Sequence, residues 1–281
     1  CGGGERTRTH AHTHTTTHTS APGLILWNAC MDDQVELTGV DATLVSDVRP
    51  LEDIFKQYDF TVYGPKLQEL ASRYKGLRFI KGDGNCFPRA FLYRFLEILH
   101  ADKDNTRADL LRSFVEGSKD MLIAHGFPDL IEDFWEEFME ALNLLKSSKE
   151  DGKAWEEVMH PHLCIEAVSN SLVFFLRLLL SCALQRNADY FSSFIPGVPS
   201  VEAFCKQEVE PVDKYFDQVQ INAVAAIFRV NVSVAYLGPS PMSIHTLTTP
   251  PLAHACLQGD TWEGPTVHVL YRPEHYDLLY V

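Results

Sequence analysis

No two cysteines in this chain are spaced as C-x-x-C. The seven it has, Cys1, Cys30, Cys86, Cys164, Cys182, Cys205 and Cys256, are odd in number and scattered. That distribution fits neither a structural zinc site nor a disulfide framework. A reducing setting, cytoplasm or nucleus, is therefore expected. Basic charge is scarce: 24 Lys and Arg stand against 38 Asp and Glu, a net charge of −14. Phosphate backbones are bound by basic patches, so nucleic acid is not expected as the main partner. Long apolar runs are also missing. The most apolar stretch, 172–184, is short for a bilayer span and is interrupted by Arg177, which predicts a buried helix and no membrane partner. The apolar run at 23–27 has no basic region before it and does not read as a secretory signal. No internal repeat is evident.

What is present is ordinary globular material, with 46% hydrophobic and 22% charged residues. At 281 residues the chain can hold one large domain or two small ones. Residues 1–20, CGGGERTRTHAHTHTTTHTS, are of low complexity and cannot bury a core. Their histidines, His10, His12, His14 and His18, are far more readily a polar tail than a metal site. The expected division is a disordered arm over 1–45 and a single domain over 46–281. Within the latter, apolar residues at helical spacing predict helices around Leu67–Tyr74, Leu110–Val115 and Phe134–Leu142, with a stop at Gly126. A charged surface loop is expected over 146–152, then a long helix over 165–187 and another over 219–228. Alternation predicts strands over 231–237, 266–271 and 275–280, with a turn at 238–241 and an irregular connection over 250–264. Many helices preceding a few late strands argue for α+β.

The stretch 81–99, KGDGNCFPRAFLYRFLEIL, organises the rest. Two glycines, Gly82 and Gly84, precede Cys86. Apolar residues then recur at helical spacing: Phe87, Ala90, Phe91, Phe95, Ile98 and Leu99. A glycine loop thus delivers a cysteine to the first turn of a buried helix, where free N–H groups and the helix dipole favour an anion such as a thiolate. Those N–H groups suit a developing oxyanion as well. Pro88 fits, because the first turn tolerates a missing N–H. A free cysteine is more often a buried structural thiol, so this segment alone leaves both roles open.

A nucleophilic thiol needs a base. In VHVLYRPEHYDLLYV, residues 267–281, His275 and Asp277 stand two apart on an expected strand and share a face. Histidine can take the thiol proton and the carboxylate can fix its tautomer.

These segments resemble a known family. GDGNCF-x-RAF is similar to the cysteine box of the otubains, ovarian-tumour-domain deubiquitinases. YRPEHYDLLY is similar to their histidine box, with Glu274 where glycine is usual. FFLRLLLSCALQRNADYFSSFI and FCKQEVEPV-x-K-x-x-D-x-VQINA match in the right order, so the resemblance runs from about Pro50 to Val281. It implies a papain-like cysteine protease architecture, many helices packed around a small, mostly antiparallel sheet. It implies a thiol isopeptidase for the bond between the ubiquitin C-terminus and a lysine, with catalytic Cys86, His275 and Asp277. The implied oxyanion hole is the backbone N–H of Cys86 and of the loop at Asp83, its path set by Gly82 and Gly84. No metal or organic cofactor is implied. The partners implied are ubiquitin and polyubiquitin, with ubiquitin-conjugating enzymes as further candidates.

Substrate contacts are less defined. Glu208, Glu210 and Asp217 are candidates to face the arginines of the ubiquitin tail, or form a solvated acidic loop. Tyr276 either lines the cleft or packs. The alternatives to cleavage of ubiquitin are a binding regulator of ubiquitin or its conjugating enzymes, and a thiol protease for another ubiquitin-like modifier. Pro88 departs from the aromatic residue that many otubains carry there.

Overall fold

The structure, a computed structural model, describes residues 43–127, 131–195, 197–238, 243–247 and 264–281. Residues 1–42 of the arm expected over 1–45, most of the turn at 238–241 and nearly all of the 250–264 connection lie outside those residues.

Among the described residues, ten α-helices precede or flank a five-stranded sheet. Helices α1 (Glu52–Phe55) and α2 (Phe60–Arg73) lead into strand β1 (Gly76–Arg78), followed by α3 (Cys86–Ala101), α4 (Thr106–Ala124), α5 (Ile131–Glu150) and α6 (Trp155–Leu163). Then come α7 (Glu166–Arg186), α8 (Ala188–Phe191), α9 (Val201–Phe204), a π-helical turn (Cys205–Val209) and α10 (Gln218–Phe228). Strands β2 (Asn231–Tyr236), β3 (Ser243–Leu247), β4 (Thr266–Arg272) and β5 (His275–Tyr280) follow. The strand order is β1-β5-β4-β2-β3. Among the described residues only the β2–β4 pairing is parallel, so the sheet is mostly antiparallel, as expected.

Helix α3 is the axis of the fold. It is apolar nearly all round and is buried on most sides, which is what such a helix requires. It lies against β5 and α7. Its stripe of Phe87, Phe91 and Phe95 continues through ring contacts to Phe228 of α10, with Phe91 and Phe95 each under 6 Å from that ring, at 5.2 and 5.6 Å. Each such ring is worth about 1.5–3 kcal/mol in burial. Helix α7 is long and apolar enough to cross a membrane by length and composition, yet 72% of that stretch is buried within the fold. It is a core helix.

The segment before α1 belongs to the packed unit. Leu44 and Val45 are buried, Val45 bridges Ile80, and Arg49 bridges Leu77. One expectation is corrected. The loop expected over 146–152 starts only at Asp151, because α5 runs on to Glu150. Its last turn carries charged residues because Lys149 Nζ donates to Leu99 O and Asp102 O, each at 2.8 Å, closing the end of α3. An ammonium is favoured at a helix C-terminus. Helix α6 and strand β3 carry too weak a pattern to be read from the sequence.

Candidate active site

Asn85 precedes α3 and Cys86 opens it, as the glycine loop predicts. Gly84 has φ of +79°, a conformation that side chains resist, and a Cβ there would stand 2.9 Å from Asp213 O. Only glycine lets the 211–216 segment close onto the loop. Gly82 lies against the histidine: a Cβ there would sit 3.4 Å from His275 Nδ1.

The hairpin β4–β5 supplies the other side. Arg272 and His275 are paired across the two-residue turn Pro273-Glu274. Glu274 takes φ of +61°, where glycine is the easy choice, and its side chain is exposed. His275 Nε2 is 2.9 Å from Asp277 Oδ1. With Nε2 engaged, Nδ1 is the nitrogen that faces the cysteine loop. Cys86 is 1% exposed and His275 5%.

Asp277 is fully buried and is held by more than its histidine. Its Oδ1 also accepts the Ile80 N–H at 3.0 Å, and its Oδ2 pairs with Arg272 Nη2 at 2.5 Å. Burial would push this carboxyl up, but Arg272 and His275 outweigh it and hold it below the usual carboxylate range. Burial would likewise pull His275 down. The Asp277 charge and hydrogen bond, aided by Cys86, outweigh that and raise it to about 9. Cys86 and His275 therefore share one electrostatic environment. Cys86 acts on His275 through both its charge and a side-chain hydrogen bond.

The N–H groups expected to meet an oxyanion differ in their present partners. No acceptor takes the Cys86 N–H among the described residues, as expected of a first turn. The Asp83 N–H is turned onto Lys81 O at 3.2 Å. The Asp83 side chain braces the loop: Oδ1 accepts from Asn85 N at 3.0 Å and from Arg89 Nη1 at 2.8 Å. Burial of Asp83 raises its pKa, but Arg89 prevails and the pKa is lowered.

The acidic candidates are placed one by one. Glu208 is part-exposed, 3.6 Å from Lys214. Glu210 accepts the Ser181 hydroxyl at 2.7 Å. Asp217 is exposed and caps α10 in a capping box with Gln220. Tyr276 is 5% exposed and packs edge-on against Phe87 at 5.3 Å. Away from this group, Asp47, Glu156 and His160 bring donor atoms within 4.8 Å of one another. Arg78 already pairs with Glu156, so that cluster has its cation.

Two arginines carry positions that the sequence did not mark. Arg272 lies inside the quoted histidine box without a role, and Arg177 stood out only as a charge in an apolar run.

The family model of Peptidase C65 Otubain matches residues 39–281. The chain belongs to the otubain family. Human "Ubiquitin thioesterase OTUB1" is 34% identical over 244 residues, 86% of this chain and 84% of that protein. The "OVARIAN TUMOR DOMAIN-containing deubiquitinating enzyme 1" of Arabidopsis thaliana is 29% identical over 90% of this chain and 88% of its own length. Among solved structures, "The structure of h/ceOTUB1-ubiquitin aldehyde-UBC13~Ub" contains a chain that matches with a TM-score of 0.71 and 28% identity, covering 85% of this chain and 90% of that one. A second, with ubiquitin aldehyde and UBCH5B~Ub, matches with a TM-score of 0.68. The helical body with its small sheet is thus the otubain domain.

Proposed function

We propose that this otubain is a cysteine-type deubiquitinase that hydrolyses the bond between the ubiquitin C-terminus and a lysine. The observation that carries this is Cys86 at the start of α3 opposite a buried His275–Asp277 couple, in a chain that matches ubiquitin thioesterases over most of its length. Cys86 attacks the carbonyl as a thiolate, forming an acyl-enzyme thioester. His275, protonated near neutral pH, gives its proton from Nδ1 to the leaving amine. It then takes a proton from the water that opens the thioester. Asp277 keeps the Nε2 proton in place and stabilises the imidazolium. The Cys86 N–H meets the oxyanion, and a turn of the Asp83 peptide away from Lys81 adds a second donor. The near closure of Cys86 and His275 selects a thin chain, which the diglycine end of ubiquitin provides.

The experiment is a ubiquitin probe with a C-terminal electrophile, run beside Cys86→Ala. The expected adduct is on Cys86, and the variant folds and binds ubiquitin but does not cleave. An adduct on Cys182 or Cys205 would overturn the assignment. Probes built on other ubiquitin-like modifiers test the alternative substrate class.

A second reading is favoured by the similar solved chains, which sit in complexes with UBC13~Ub and UBCH5B~Ub. In this reading the chain also engages ubiquitin-charged conjugating enzymes. Binding of such a conjugate by Cys86→Ala checks it.

A further inference from the structure

Arg177 is the one charged residue in the 172–184 run, and it is fully buried in α7. Among the described residues it forms no ion pair with a carboxylate. Every hydrogen bond it makes goes to a neutral acceptor on one of two segments. Towards the cysteine loop, Nε and Nη2 fork onto Asn85 Oδ1 at 3.2 and 2.8 Å, and Nη2 reaches Gly84 O at 3.2 Å. Towards the end of the π-helical turn and the segment after it, Nη1 reaches Val209 O at 2.9 Å and Nη2 reaches Lys214 O at 2.7 Å. The guanidinium also lies 4.7 Å over the Phe216 ring.

A buried cation without a carboxylate is costly, and burial pulls the Arg177 pKa down to about 10. A neutral side chain could fill the same volume. What only a guanidinium offers is a rigid fork with donors on several sides. The fork spans the two segments that meet where Asp213 O closes on Gly84. We propose that Arg177 is a positioning residue for the otubain reaction: it locks the Gly84–Asn85 peptide, and with it Cys86, in register with the segment over residues 209–216. Its charge adds a second effect, since Asp213, Cys86 and Asp83 are the groups that feel it most favourably. A positive charge beside the reacting thiol favours the anionic states of the reaction.

This proposal rests on the proposed role of Cys86, and its test separates the two. Arg177→Lys keeps the charge, but its ammonium is a point donor that cannot bridge both segments. Arg177→Ala leaves space for a small guanidinium. Each is assayed with a C-terminal ubiquitin ester, with rates divided by the fraction folded from near-UV circular dichroism at the assay temperature. Arg177 is buried and does not meet ubiquitin, so kcat should fall while KM stays within about twofold. A misplacement of the nucleophile by about 1 Å costs on the order of 10²-fold, and that is the expected loss in kcat for Arg177→Lys. Methylguanidinium should restore at least tenfold of the kcat lost in Arg177→Ala and leave the wild type unchanged.

A normalised kcat in Arg177→Lys within threefold of wild type would overturn the proposal. So would a loss in both variants that disappears on correction for the folded fraction. Failure of wild-type protein to form a probe adduct at Cys86 would strike the functional reading instead.

Discussion

Replacing Asp277 by Asn tests the couple at the centre of the site, because this carboxylate meets three donors in the dark of the core. Its Oδ1 takes the Ile80 N–H and His275 Nε2, while Oδ2 takes Arg272. An asparagine can keep its oxygen at the Oδ1 position and so preserve the histidine tautomer. Its amide NH2 then faces the Arg272 donor, and the charge that matched Arg272 is gone. Breaking a buried ion pair costs about 3–5 kcal/mol. Part of that cost is pH dependent. His275 titrates at about 9 in the fold against 6.5 in the unfolded chain. At about 1.4 kcal/mol per pH unit the difference is worth about 3 kcal/mol. Because the folded value is the higher one, this stability is fully present below pH 6.5 and is lost as pH rises through 9. In Asp277→Asn its main source is removed. The gap between wild type and variant in urea unfolding should therefore be widest near pH 6 and should shrink by about 3 kcal/mol towards pH 10. Other titrations occur in both proteins and cancel. A gap that stays constant from pH 6 to pH 10 would refute the coupling of His275 to Asp277.

In steady-state hydrolysis of a ubiquitin ester, His275→Ala should lose nearly all activity and Asp277→Asn less, since an amide still accepts from the imidazole. For an amide substrate, kcat/KM should fall as pH rises through about 9, where His275 loses the proton it gives the leaving amine. Gly84→Ala should cost roughly 1–2 kcal/mol for φ of +79° alone, and more for the approach to Asp213 O, read as a drop of several degrees in Tm. Glu208→Lys should raise KM for ubiquitin in a salt-sensitive way if Glu208 meets the basic tail, while Glu210→Lys should also lower Tm by releasing the Ser181 hydroxyl.

Most helices were legible because their patterns are local. In α2, α4 and α5 an apolar residue returns every three or four positions, and Leu67, Leu70, Leu111, Val115, Phe138, Met139 and Leu142 of that pattern are buried. Strands β4 and β5 alternate, and His275 and Asp277 do share a side. What stayed hidden has no local pattern. The sequence 146–150 is charged like a loop but helical, because Lys149 reaches back to carbonyls at the end of α3. Strand β1 is only Gly76–Arg78 and exists because β5 pairs with it from the far end of the chain. Asp217 looks like an acid waiting for a ligand, yet its carboxylate accepts from the start of α10.

The site shows the same division. Cys86, His275 and Asp277 announce themselves through glycine spacing and strand spacing. The groups that hold them do not, because each spans segments distant in sequence. Four arginines in an acidic chain are almost wholly enclosed, and each joins such segments. Arg89 links Asp83 to Ser169 and Asn170 of α7. Arg78 links Tyr280, Ser46 and Glu156 around β1. Arg272 ties Asp277 to Gln57 ahead of α2. Arg177 joins the cysteine loop to residues 209–214. A buried guanidinium persists where most of its donors are met, and of Arg272 only Nε lacks a partner among the described residues. An arginine inside an apolar or alternating run therefore tells the reader that distant acceptors must converge on it, although not which ones. In this chain three of the four, Arg89, Arg177 and Arg272, converge on the cysteine loop or on Asp277. The cost of enclosing those charges falls largely around Cys86 and the His275–Asp277 couple, where the proposed chemistry needs fixed positions.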